Sequence, residues 1–165
     1  MNCTYVFNKM IGPFCDPYIR GIASKGGTRS SKTWSVLQLL YLVANESTEP
    51  LMISCVTDTL PAVKRGMFRD FRNMLLDEGV WDDNALNKSD LIYTVKPGVC
   101  IEFFGCDNAS KVHGPARDIL FINEAQRVPA RYSGSWTYVP RSRLSLTSTR
   151  CAASGVRRTS QATST

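Results

Sequence analysis

Gly26, Lys32 and Thr33 stand at the spacing with which a chain wraps a phosphate group. They lie in the stretch SKGGTRSSKTWS, Ser24 to Ser35. The phosphate-loop pattern is glycine, four residues, glycine, lysine, then serine or threonine, and here Ser31 takes the place of the second glycine. In such a loop the backbone N–H groups of Gly26, Gly27, Thr28, Arg29, Ser30 and Ser31 converge on the β-phosphate. A helix starting near Lys32 points its positive end at the same group. Lys32 then reaches the β- and γ-phosphates as a point charge, and Thr33 gives its hydroxyl to Mg²⁺. Arg29 adds charge at the γ-phosphate. The ligand this chemistry suits is a nucleotide's phosphates with Mg²⁺. Ser31 fits only if its φ stays negative or its Cβ faces open space.

Hydrolysis needs a second part, a carboxylate at a sheet edge that orients water for attack on the γ-phosphate. Glu124, just past the apolar run ILFI, is the residue so placed. The residue before it, Asn123, stands where an acid would be expected on the magnesium side, so the metal loses a negative charge there. The plain alternative is that Glu124 is only the first polar residue after a buried strand.

These groups need a scaffold of strands ending at the loop. YIRGIAS, Tyr18 to Ser24, has the length and branching of a strand entering a glycine turn, and KTWSVLQLLYLVANE is apolar on almost every side, as a helix on a sheet is. PLMISCVT reads as a strand buried on both faces. AVKRGMFRDFRNMLLDEG follows as one helix, with Val63, Met67, Phe71, Met74 and Leu75 on its apolar side and Gly79 as its stop. Arg65, Arg69 and Arg72 form a stripe on its other side, a solvated face or a contact for DNA phosphates. LIYTV and VCIEFFGC flank Lys96-Pro97-Gly98 as a hairpin, and DILFINEA is a strand with Asn123 and Glu124 at its end. The order implies an α/β fold, a P-loop NTPase with a mainly parallel central sheet flanked by helices.

A chain of 165 residues with 43% hydrophobic residues can bury a core. No apolar run is long enough to span a bilayer, and the N-terminus lacks the features of a secretory signal, so the expected compartment is cytoplasm. Six scattered cysteines, Cys3, Cys15, Cys55, Cys100, Cys106 and Cys151, without a Cys-x-x-Cys pair, read as reduced apolar residues. The one histidine, His113, reads as a loop residue. The net charge of +6 is unevenly placed: of 20 basic residues seven lie beyond Gln126, where there is no acid. Residues 1–126 thus hold 13 basic against 14 acidic residues, a net of −1.

Three stretches in this order, GGTRSSKT, IEFFGCDNASKVHG and DILFINEAQR, resemble the large subunit of phage terminase, the DNA-packaging motor, in its PBSX-like branch. The resemblance covers Tyr18 to about Gln126. It implies that Gly26 to Ser31, Lys32 and Thr33 bind ATP, that Thr33 and Asn123 serve the magnesium, and that Glu124 and Arg29 are catalytic. It further implies double-stranded DNA, a portal protein and a small terminase subunit as partners, a homo-oligomer on the portal, no membrane, and the cytoplasm of a bacterial host. The acidic clusters of that family's nuclease domain are absent, so this chain is expected not to cut DNA by that route.

The domain expectation is a partial ATPase domain over 1–126 and a basic tail over 127–165. The tail is rich in Ser, Thr and Arg and free of Lys, Asp, Glu, Phe, Ile and Met, a composition that cannot bury a core. Re-reading its codons from the third base permits Phe-Arg-Gln-Leu-Asp-Val-Arg-Thr within YSGSWTYVP, Phe-Asp-Phe-Asn-Pro within LSLTSTR and Phe-Trp within AAS. All three fit one phase and resemble the segment after the catalytic strand in terminases. The tail is therefore read as a frameshifted, disordered segment rather than a natural basic arm, and the chain as a poor or inactive ATPase. The rival functions are another P-loop ATPase or kinase, and a degenerate, non-catalytic prophage product.

Overall fold

The structure, a computed structural model, describes residues 5–16, 18–19, 21–24, 31–107 and 117–128. Two helices open it, α1 (Tyr5–Cys15) and α2 (Lys32–Glu46), followed by strand β1 (Leu51–Thr57), α3 (Leu60–Arg65) and α4 (Met67–Asp77). Then come β2 (Leu86–Asn87), β3 (Ile92–Lys96), β4 (Val99–Gly105) and β5 (Ile119–Ile122). The sheet order is β2-β3-β4-β1-β5. β1 pairs in parallel with β4 on one side and β5 on the other, while β2, β3 and β4 pair antiparallel. The sheet is therefore mixed, with its parallel part centred on β1.

β1 is apolar along most of its length because both its faces are covered. Leu51, Ile53 and Cys55 share one packed cluster with Val99, Ile101 and Phe103 of β4 and with the apolar faces of α2 and α4. Val56 faces the other way, with Phe104, Leu120 and Ile122. Burial pushes the Cys55 thiol far up from its ordinary value, which makes it an inert apolar filler. The aromatic centre of the helix side is Phe71, which meets Phe103 at 5.1 Å and Tyr93 at 5.5 Å between ring centroids. Trp81 stacks on Tyr93 at 4.9 Å. Such pairs add about 0.5–1.5 kcal/mol each beyond the area they bury.

Two expectations change, and one element is new. The expected helix from Ala62 to Gly79 is two helices, broken at Gly66 (φ −111°, ψ −98°), although Val63, Met67, Phe71, Met74 and Leu75 are all buried as expected. The break lets the short α3 lie against β4 and β1 while α4 packs under α2. The expected strand Tyr18–Ser24 is not formed among its described residues: Tyr18 lies in a turn and Gly21 to Ser24 are exposed without regular structure. A strand draws its stability from cross-strand pairs and a buried face, and these residues have neither. Lastly, α1 is an element the sequence pattern does not announce, although Phe7, Met10 and Phe14 are buried at helical spacing and pack the helix on α2. Gly12 and Pro13 mask that pattern in the sequence.

The hairpin forms as expected, with Gly98 at φ +79° in its turn. At the other end of β4, Gly105 lies so close to the loop after β1 that a Cβ there would come within 2.3 Å of Leu60 N and 2.4 Å of Thr59 C. Backbone on the far side cannot step away as a side-chain tip can. Gly105→Ala is expected to lower unfolding stability by about 1–3 kcal/mol in chemical denaturation, the usual cost of overpacking. An unchanged midpoint would show that the β1–α3 loop is not held against β4.

Candidate functional site

The parallel strands β4, β1 and β5 end on one edge, and each delivers polar residues there. Asp58 and Thr59 follow β1, Asp107 follows β4 by two residues, and Asn123 and Glu124 follow β5. In open α/β sheets this carboxyl edge is where ligands bind. The N-terminus of α2 reaches the same edge, because the Thr33 hydroxyl donates to Asn123 Oδ1 at 3.0 Å. The two residues are 90 positions apart in the chain. Asn123 is itself fixed by its backbone N–H, which donates to Val56 O at 2.8 Å.

The start of α2 carries a local conflict. Its first turn has no acidic residue, and Lys32 opens it. A cation at the positive end of a helix costs about 0.3–1 kcal/mol, so this first turn does not favour the helix electrostatically. Ser31, the residue before the helix, sits at φ +53°, ψ 17°, is exposed, and makes no side-chain cap. Its carbonyl instead accepts from Ser35 N at 2.9 Å and from Ser35 Oγ at 2.7 Å. The negative-φ option for Ser31 is thus overturned and the open-space option holds. The backbone keeps the left-handed turn that a glycine would make there freely.

Glu124 also has positive φ, at +55° with ψ 54°, and so leaves the strand sharply. Its carboxylate is 45% exposed and pairs with Arg127 Nε at 3.1 Å, while Arg127 N donates to Glu124 O at 2.8 Å. Left-handed non-glycine residues cluster where surrounding structure holds them in place for a purpose. At this edge Asp58 Oδ1 accepts from Thr59 N at 2.9 Å and Asp107 Oδ2 from Leu60 N at 3.2 Å. Burial, and after it Asp107 and Asp58, push the Cys106 thiol up from its ordinary value. Asp58 and Asp107 are functional candidates that the motifs do not mark, yet their signal is the same as that of Glu124: an acid soon after an apolar run.

Gly26, Gly27, Thr28, Arg29 and Ser30 lie outside the described residues, as do His113, Cys3, Cys151 and the tail from residue 129. Among the described residues no group of three His, Cys, Asp or Glu side chains is arranged to hold a metal, and no helix is long and apolar enough to cross a membrane. Of the arginine stripe, Arg69 pairs with Asp70 at 2.8 Å, Arg72 lies over the Trp81 ring at 5.6 Å, and Arg65 Nε donates to Pro61 O at 3.4 Å. Comparison with protein-family models, with curated proteins and with solved structures finds no match.

The Ser31 geometry makes a measurable demand. Holding an L-residue in the left-handed region costs about 1–2 kcal/mol, partly offset for glycine by its greater freedom when unfolded. Ser31→Gly is expected to raise stability by about 0.5–1 kcal/mol, read as a higher denaturation midpoint. A lower midpoint would place Ser31 at negative φ.

Proposed function

We propose that the chain binds Mg²⁺–ATP through Lys32, Thr33 and the preceding loop, as the ATPase region of a terminase-like DNA-packaging motor. The observation that carries this reading is the Thr33–Asn123 hydrogen bond. The loop pattern gives Thr33 to a magnesium ion and the terminase resemblance puts Asn123 on the same side, and the two meet across 90 positions of chain. Their two oxygens suit a hard cation that keeps several waters and takes its remaining ligands from phosphate. When bound, the ion would supply positive charge that offsets the negative charge of the phosphates.

In this reading the chain's own groups divide the work. The positive end of α2 and the Lys32 ammonium hold the phosphates, with Arg29 adding to that charge. Thr33 and Asn123 orient the ion's side of the site. Glu124 accepts the proton of a water aligned with the γ-phosphate, once its carboxylate is turned from Arg127. Double-stranded DNA, a portal protein, a small subunit and further copies of the chain are the partners that the terminase reading carries. The exposed guanidinium groups on α3 and α4 supply charge for DNA.

A second reading is a nucleotide binder that does not hydrolyse. It is favoured by the neutral amide at Asn123 and by the Glu124–Arg127 pair, which occupies the carboxylate that would act as base. Steady-state phosphate release from the purified chain separates the two.

The binding claim is tested with Lys32→Ala and a fluorescent ATP analogue at saturating Mg²⁺. Loss of charge-assisted bonds of about 1.5–3 kcal/mol each is expected to weaken binding by about 100-fold or more. Equal affinity in both proteins would remove the phosphate site. Asn123→Asp is expected to lower the Mg²⁺ concentration for half-maximal binding by roughly tenfold, by adding a unit of charge near the cation. A flat response would show that Asn123 does not face the ion.

A further inference from the structure

All four residues of β5 are apolar, Ile119, Leu120, Phe121 and Ile122, and all four are half-buried. A strand that alternates apolar and polar residues resists slipping, because a shift of one residue turns its apolar set toward water. β5 has no alternation to enforce this. A slip of two residues would even keep each side chain on its own face while moving the strand by about 6.6 Å. Asn123 nevertheless has to meet the Thr33 hydroxyl at 3.0 Å, which tolerates no slip. A slip in either direction would draw the polar residues at one end of the strand, Arg117 and Asp118 or Asn123 and Glu124, into its apolar places, so the register is selected at the ends of the strand and not by alternation along it.

Two polar anchors stand immediately before the strand. Asp118 clasps one residue of β1 twice: its N–H donates to Met52 O at 3.0 Å, and its Oδ2 accepts from Met52 N at 2.8 Å. Arg117 Nε donates to Glu102 Oε1 at 3.2 Å, with both side chains only 9% exposed. The same carboxylate oxygen accepts the Ser54 hydroxyl. Ser54 and Glu102 are register partners on β1 and β4, and the Arg117 guanidinium lies over the Phe104 ring at 5.1 Å. One buried carboxylate thus joins β1, β4 and the approach to β5.

We propose that Arg117 and Asp118 are positioning residues that set the register of β5 and thereby hold Asn123 and Glu124 at the phosphate end of the sheet. A buried ion pair adds little net stability, because desolvation offsets its attraction, but separating its members leaves charges buried and unpaired. Every slipped register of β5 would do that to Glu102 and Arg117. The register claim stands on the geometry, and only its consequence for nucleotide rests on the function proposed above.

The test is a double-mutant cycle, Thr33→Val with Asn123→Ala, read by thermal unfolding of the full chain in two backgrounds. In the parent the two substitutions should be non-additive, the pair costing less than the sum of the singles. In a Ser54→Ala/Glu102→Met/Arg117→Met background, where apolar groups replace the buried charges and the hydroxyl that Glu102 accepts, the protein should melt within a few degrees of the parent. There the Thr33 and Asn123 effects should become additive, and affinity for a Mg²⁺–ATP analogue should fall about tenfold, the change from losing one positioned ligand. Undiminished non-additivity in that background would overturn the proposal and leave the ion pair as a stability element. If that background does not fold, Asp118→Ala carries the same cycle: reduced coupling supports the proposal, full coupling overturns it. A parent that binds no nucleotide would defeat the proposed function alone, since the melting cycle still reports the register.

Discussion

The parallel pairing of β1 on both its sides is the constraint on which the site depends. Because β4 and β5 run with β1, their carboxyl ends share one edge, and the polar residues just beyond each apolar run are gathered there without any need for long loops. Placing α2 on the helix-covered face then brings Thr33 to the edge at the height of Asn123. Were β5 paired antiparallel, Asn123 and Glu124 would sit at the opposite end of the sheet from α2's first turn. The burial of β1 on both faces, with Ile53, Cys55 and Val56 fully inside, is what makes this pairing hard to exchange for another.

Two residues at the carboxyl edge of the parallel strands combine a defined geometry with a residue type that the phosphate-loop pattern does not expect. Ser31 adopts a left-handed backbone that glycine takes more freely, at an energetic cost and with its side chain in the open. Asn123 keeps an acceptor for the Thr33 hydroxyl but brings no charge. In the proposed site that neutral amide would lie beside the cation. The Glu124–Arg127 pair holds the carboxylate that the proposed hydrolysis would need free.

Most of the sheet is legible in the sequence because its signals are local. β1 is a continuous apolar run, the hairpin is marked by Pro97-Gly98, and β5 is an apolar run ended by two polar residues. α2 begins at Lys32, where the motif requires it. The features that escape a sequence reading depend on distant partners. Tyr18 to Ser24 has strand-like residues, but a strand also needs a neighbouring edge, and no local pattern supplies that. The break at Gly66 reflects two packing surfaces, β1 and β4 for one half and α2 for the other, that a single amphipathic pattern cannot distinguish. The Glu102–Arg117 pair joins residues that look unrelated in sequence, one in a strand and one ahead of another, and only the sheet register brings them together.

If the α2 N-terminus and the end of β5 form one phosphate site, a nucleotide must disturb both at once. Titration of isotope-labelled protein with a Mg²⁺–ATP analogue, following backbone amide resonances, addresses this in one measurement. The expected result is saturable shifts concentrated at Ser31 to Trp34 and at Asn123 and Glu124, with the core strands β3 and β4 unmoved. Shifts confined to other surfaces, or none at millimolar nucleotide, would contradict the account.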